Sequence, residues 1–321
     1  MQFGLILPHF SAKGSGERTL QGAVRAEALG FDSVWVRDTA YISPTLQHHG
    51  GIAESPFNTE AIVTLAVIGG MTRRLTLGTA VLQPYRHPLK TSQYMASLSY
   101  LTGGRVIMGL GLGADPLQFG ALGLPFEGRR QRVKETIDIC RLTWDGPEVS
   151  YQGKLFQFDQ VTIDPRPAVP IPIWHGGEGP QTVRFTALHC DGWSPSRVIF
   201  PRLEERLALF RKIRAEEGGN RPYQVGSIPL VSVARSEEEA LSRFNMPLVL
   251  QEAARRSERS DLSLQELRGF ILWGTPAQIR QDVARYRDLG VDHLVFDLRC
   301  DFDAFAESLE LIGQEVIPHF R

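Results

Sequence analysis

Several short stretches of this chain carry side chains able to move protons or hold anions. His9 follows the apolar run Phe3 to Leu7, and Asp38 follows Ser33 to Val36, so each stands where an extended segment gives way to a loop. As neighbours across two strand ends they suit acid–base work, and they equally suit a satisfied core pair. Arg105 to Gly113 reads RVIMGLGLG, a strand-like run followed by alternating glycines, with Asp115 just beyond. Its G-x-G-x-G spacing differs from the G-x-G-x-x-G of dinucleotide-binding turns, and residues 114–127 hold two prolines and two glycines, so a long loop is predicted instead of an immediate helix. His175-Gly176-Gly177-Glu178-Gly179 precedes a helical pattern from Pro180. Glycine-rich backbone at a helix N-terminus suits an anion, with Arg197 a further cation. His48 and His49 lie in a polar loop, without the spacing of a metal-ligand motif, and no metal site is assigned.

These positions share one property, which appears when the elements around them are laid out. Apolar runs of strand length recur at 3–7, 33–36, 75–80, 106–108, 171–174, 191–193, 224–234 and 292–297, and amphipathic stretches fill the intervals. The two longest interruptions are loops after the second and fourth strands. A third, 147–172, is predicted to hold a small hairpin before the fifth strand, and 236–268 reads as one charge-rich helical stretch. Eight alternating β and α units predict an α/β protein, a (β/α)8 barrel with insertions after strands 2 and 4, formed by residues 1–321 as a single domain. In that fold the loops at the strands' C-terminal ends carry function, and the chemistry-bearing residues all fall there. The same ring takes in Ala80 to Gln83, Ser194 to Arg197 and Asp297 to Arg299.

Composition excludes several classes. A formal net charge of −1 offers no footprint for nucleic acid or an anionic membrane, and no apolar run is long enough to span one. Three scattered cysteines support neither a disulfide framework nor a zinc finger, and a cytoplasmic protein is expected.

Together, LTLGTAVL (75–82), Arg86-x-Pro88, LTGGRVIMGLGLG (101–113), FGALGLPFEGR (119–129), PIPIWHGG (170–177), CDGW (190–193), GTPAQIRQDVARYRDLGVDHLVF (274–296) and the opening AEALGFDSVWVRD (26–38) resemble the luciferase-like monooxygenase superfamily, in order and over nearly the whole chain. The resemblance is strongest to its coenzyme F420-dependent members. It implies a barrel, usually homodimeric, with F420 (or FMN) on the C-terminal face and hydride transfer to or from a small organic substrate. It also implies a non-prolyl cis peptide at Ala80–Val81 and a cofactor phosphate on Gly176 and Gly177. The implied cofactor contacts are Asp38, Ala80, Val81, Leu82, Gln83, Gly111, Gly113, His175, Gly176, Gly177, Ser194 and Arg197; His9, Asp38 and Asp115 are the candidate catalytic groups. The chain departs from the family at two positions. Thr39 stands where many relatives have histidine, and Ala114 where the sugar-phosphate dehydrogenases have a glutamate. An O2-using FMN monooxygenase and a non-catalytic flavin-binding relative are the alternatives, and a cofactor-free or metal-using hydrolase is a third.

Overall fold

The computed structural model describes residues 1–43, 55–217, 222–259 and 261–321. Its strands are β1 (Gln2–Ile6), β2 (Ser33–Val36), β3 (Thr76–Thr79), β4 (Val106–Leu110), β5 (Val149–Gln152), β6 (Gln157–Val161), β7 (Ile173–His175), β8 (Gly192–Trp193), β9 (Gln224–Ser227), β10 (Leu230–Val233), β11 (Ile271–Gly274) and β12 (His293–Phe296). Eight of them, in the order β1-β12-β9-β8-β7-β4-β3-β2, close into a parallel barrel. The α-helices are α1 (Gly16–Ala28), α2 (Ala61–Met71), α3 (Pro88–Thr102), α4 (Pro116–Ala121), α5 (Arg129–Asp145), α6 (Pro180–His189), α7 (Phe200–Glu217), α8 (Glu237–Ser242), α9 (Met246–Ser257), α10 (Pro276–Asp288) and α11 (Phe305–Leu311).

Local chemistry sets the helix ends. The Ser15 hydroxyl accepts the Arg18 N–H and starts α1, and Thr275 with Gln278 forms a capping box ahead of Pro276. Inside the barrel Trp35 and Trp174 pack at 5.5 Å between centroids, with His293 edge-on to both. Gly78 and Gly192 make room, since a Cβ on either would run into these indoles. His293 Nε2 lies 2.6 Å from Ser33 Oγ.

The expected hairpin is present, residues 44–54 of the loop after β2 lie outside the described residues, and one further insertion changes the reading. The β5–β6 hairpin is antiparallel, and its tip is held by the buried Glu135 carboxylate, which accepts from the N–H groups of Lys154, Leu155 and Phe156. The predicted seventh strand, 224–234, is in fact two. β9 stays in the barrel, the chain turns at Pro229, and β10 leaves to pair in parallel with β11 as a separate two-stranded sheet. The predicted helical stretch 236–268 is likewise broken into α8, α9 and a 3₁₀ turn, with Asn245 capping α9 and Pro247 in its first turn. This insertion has its own apolar core, with Phe244, Phe270 and Trp273 among its members.

Candidate active site

A cavity of about 530 Å³ opens at the C-terminal ends of the strands. Asp38 follows β2 by two residues, and both of its oxygens accept hydrogen bonds. Arg86 grips it with Nη1 at 2.7 Å and Nη2 at 3.0 Å, and the Gln83 N–H donates at 2.9 Å. This clamp fixes the loop after β3, where the Ala80–Val81 peptide is cis. Leu82 ties that loop to β4, donating its N–H to Gly109 O and accepting from the Gly111 N–H, and its buried side chain does not reach the cavity. The β4 glycines serve this close approach. A Cβ at Gly109 would sit against Thr79 O, and one at Gly111 would lie 2.5 Å from Val81 Cγ2. Gly111 and Gly113 line the cavity through their backbone. The reading of a turn opened for a ligand is thus corrected in part: the absent side chains first make room for other protein atoms.

The loop after β7 presents Gly176, Gly177 and Thr182 to the cavity. The Gly176 N–H is committed to Leu110 O at 3.1 Å, so a phosphate cradle here begins at Gly177, whose φ of +105° suits glycine. The Glu178 carboxylate lies 3.0 Å from Arg202, its acidity weakened by burial.

Two histidines were misassigned. His9 is wholly buried; its Nε2 accepts the Arg37 N–H at 3.0 Å and its Nδ1 lies 3.3 Å from Thr59 O. Burial, then the Arg37 charge, lower its pKa to about 3, which leaves a neutral, structural ring with no cavity face. His175 packs against Phe185, with Nδ1 3.3 Å from Thr186 Oγ1, and burial lowers its pKa to about 4. It too is absent from the cavity wall. A strand's side chains alternate in direction, and His175, the last residue of β7, belongs to the half that faces away, whereas His9 lies in the loop after β1.

Asp115 does line the cavity. Its Oδ1 caps α4 by accepting the Leu117 N–H at 3.0 Å, and Ser43 Oγ donates to Oδ2. Nearby, the Tyr85 hydroxyl donates to Gln118 Oε1 at 2.8 Å; the same oxygen accepts the Ala40 N–H at 3.1 Å. Burial, with Asp38 and Asp115 nearby, pushes the Tyr85 phenol well above its ordinary pKa, so it keeps its proton. Sequence reading missed this network, because Gln118 falls in a stretch read as loop that the structure folds into the short helix α4.

Arginines dominate the remaining wall. Arg299 pairs with Asp297 at 2.7 Å. Arg256, delivered by α9, pairs with Glu252 at 2.7 Å and donates to Ser196 O at 2.8 Å. Arg197, in the left-handed region at φ +57°, is 7% exposed, and its Nη1 has no hydrogen-bond partner. Burial, then the Arg256 and Arg299 charges, lower its pKa to about 9. Gln83 Oε1 and Ser194 Oγ are also buried on this wall without partners. Buried polar atoms left in this way are costly unless a ligand completes them. A ring with amide-like edges and an anionic group matches this donor and acceptor set, so the residues present fit a flavin or deazaflavin. Among the described residues no cluster of His, Cys, Asp or Glu is placed to hold a metal ion; His48 and His49 lie outside them.

Comparison with known proteins gives the family and the fold. The luciferase-like monooxygenase family profile matches residues 1–293. An F420-dependent glucose-6-phosphate dehydrogenase of Microbacterium testaceum is 32% identical, over 97% of each chain. Among solved structures, an F420-dependent secondary alcohol dehydrogenase in complex with an F420–acetone adduct superposes with a TM-score of 0.83 at 18% identity, covering 100% of this chain and 99% of that one. A monooxygenase from Streptomyces bottropensis gives 0.79 at 22% identity over the whole of both chains. By sequence and by barrel architecture, this chain belongs to the luciferase-like monooxygenase family.

Proposed function

We propose that this protein is an F420-dependent oxidoreductase acting on a small hydroxyl-bearing substrate that also carries an anionic group. The deazaflavin, when bound, supplies the hydride acceptor or donor at its C5. The protein supplies the surroundings: the cis peptide at Ala80–Val81 and the Gly111–Gly113 backbone as a wall for the ring, and the Gly177 turn at the start of α6 as the phosphate seat. Asp38 acts as a clamp on the Gln83 loop, accepting two hydrogen bonds from Arg86 and one from the Gln83 N–H. Asp115 is the proton acceptor for the substrate hydroxyl, standing in for the glutamate that Ala114 replaces.

The observation that carries the substrate class is Arg197. A buried guanidinium whose Nη1 has no hydrogen-bond partner, on the same cavity wall as Arg256 and Arg299, is a seat for a phosphate or carboxylate. This moves Arg197 from the cofactor to the substrate. The relatives named for glucose 6-phosphate and for secondary alcohols act on hydroxyl-bearing compounds, in keeping with this reading. Titration of the purified protein with F420 and with FMN, side by side, tests it. Micromolar binding of F420 and oxidation of phosphorylated or carboxylated alcohols in preference to neutral ones are expected. Failure to bind F420 removes the reading, binding of FMN alone selects the monooxygenase alternative, and binding without turnover of any alcohol selects the non-catalytic one.

We further place residues 1–321 as one working unit, a cytoplasmic homodimer. Its three cysteines are free, as suits a reducing compartment, and no described helix is long and apolar enough to cross a membrane. α2 is apolar on every side, with Val63, Val67 and Met71 exposed, and Leu101 of α3 is 77% exposed. Such a face suits a second copy of the chain. Sedimentation of Val67→Asp, expected to be monomeric, checks the assembly.

A further inference from the structure

The start of α5 carries three arginines in four positions, Arg129, Arg130 and Arg132, and the mechanism above uses none of them. They are placed against the helix dipole. Gly128 offers no side-chain cap, and the first turn holds no acidic residue to offset them. None of the three forms an ion pair with a carboxylate among the described residues.

Two of them are held in position by aromatic rings. The Arg129 guanidinium lies 3.9 Å over Phe126 and donates to Phe126 O at 3.3 Å; that of Arg132 lies 5.3 Å over Phe156, at the hairpin tip. Stacking occupies the face of a guanidinium and leaves N–H groups along its edge for a carboxylate. The Nε atoms of Arg129 and Arg132 are both buried and without a partner. Arg129 lines the same cavity as Gly177 and Thr182. Arg130 is exposed, yet close enough to the strand end for its charge to bear on the buried His175, one residue before the glycine turn. The arginines therefore continue the phosphate seat outward, from the cavity to the surface.

F420 and FMN differ beyond the phosphate. FMN stops there, whereas F420 continues through lactate into a tail of glutamates, each with a carboxylate. We propose that Arg129, Arg130 and Arg132 form a carboxylate-binding rim that takes this glutamate tail and so favours F420 over FMN. The inference rests on the F420 reading given above. It assigns the rim a ligand of one chemical class, a short polyanion covalently joined to the group seated at Gly177.

The test uses fluorescence titration of the full chain with two probes: F420 bearing several glutamates, and the form that ends at lactate with none. The wild type should bind the glutamylated probe about three- to tenfold more tightly, the range for a few exposed charge-assisted contacts. That preference should vanish in the Arg130→Gln/Arg132→Gln double variant and in 0.5 M salt, while binding of the glutamate-free probe stays as in the wild type. Arg129 is left in place because it borders the cavity. Equal binding of the two probes by the wild type, or a preference that survives in the double variant, overturns the rim. If the wild type binds neither probe, the cofactor reading itself fails and the rim with it, a result distinct from equal binding of both.

Discussion

Replacing Arg197 with methionine should stabilise the protein while removing its response to anions. The side chain is 7% exposed and Nη1 is unpartnered, so the folded state carries a desolvated charge. Its pKa of about 9 lies below the ordinary 12.5. A folded-state value below the unfolded one means that the charged form costs the fold at every pH below about 9, with relief only as pH rises toward 12.5. At about 1.36 kcal/mol per pKa unit the difference corresponds to roughly 5 kcal/mol, and solvent reaching the cavity lowers it. Exchange for an apolar side chain of similar length should recover about 1–3 kcal/mol, a rise of a few degrees in Tm. Anion binding works in the other direction. Inorganic phosphate or citrate at a hundred times Kd adds about 2.7 kcal/mol to a protein that binds it in the folded state only. The assay is a pair of thermal melts with and without the anion. Wild type should start lower and climb with added anion, and Arg197→Met should start higher and stay level. A variant that melts below wild type in anion-free buffer and shifts equally with phosphate would refute both the unpaired charge and its role.

Other outcomes concern the buried histidines, the β4 glycine and the cavity carboxylate. His9, with a pKa of about 3, and His175 and His293, each about 4, stay neutral in the fold, while the unfolded chain takes up protons below about pH 6.5. Stability should therefore be complete above that pH and fall as pH drops toward 4, by on the order of 2 kcal/mol per histidine at pH 5. Urea midpoints at pH 7.5 and 5 measure it, and a flat profile contradicts it. Gly109→Ala forces a methyl against Thr79 O, so a loss of about 1–3 kcal/mol is expected in denaturant melts, and wild-type stability would show that the strands can part. Asp115→Asn should cut turnover at least about a hundredfold with F420 affinity held within about twofold, and retained turnover would transfer the proton to another group.

The barrel was legible because strand length, glycine stops and helical periodicity alternate along most of the chain. Reading 224–234 as one strand failed on a single residue. Val225 to Ala234 is apolar enough for a continuous strand, and only Pro229, which lacks an N–H for the ladder, marks the division. Arg256 was hidden by the same insertion. Within a charge-rich helical reading it is one surface arginine among several, whereas Asn245 and Pro247 start a separate helix that turns it toward the cavity. His9 and His175 show a different limit. Sequence placed each at a strand end, but the face that His175 takes depends on the pleat, which shifts with one residue of register, and His9 lies in the loop beyond β1, where no periodicity orients it. Asp38 stands on the cavity wall as expected, and its two-pronged hold by Arg86 could not be read from the sequence.

The detached sheet between β9 and β12 has a consequence for how such an enzyme acquires new substrates. Its two strands pair with one another and its helices close over a core of their own, while the Val231 N–H, donating to Asp297 O at 2.8 Å, ties β10 to the end of β12. Yet this segment contributes Arg256 to the cavity and holds the Ser196 carbonyl next to Arg197. On the proposed reading, this segment adds to substrate recognition, while the cofactor lies against the strand ends of the barrel. On that reading, a side chain such as Arg256 on α9 can change the charge of the cavity while the barrel strands keep their register.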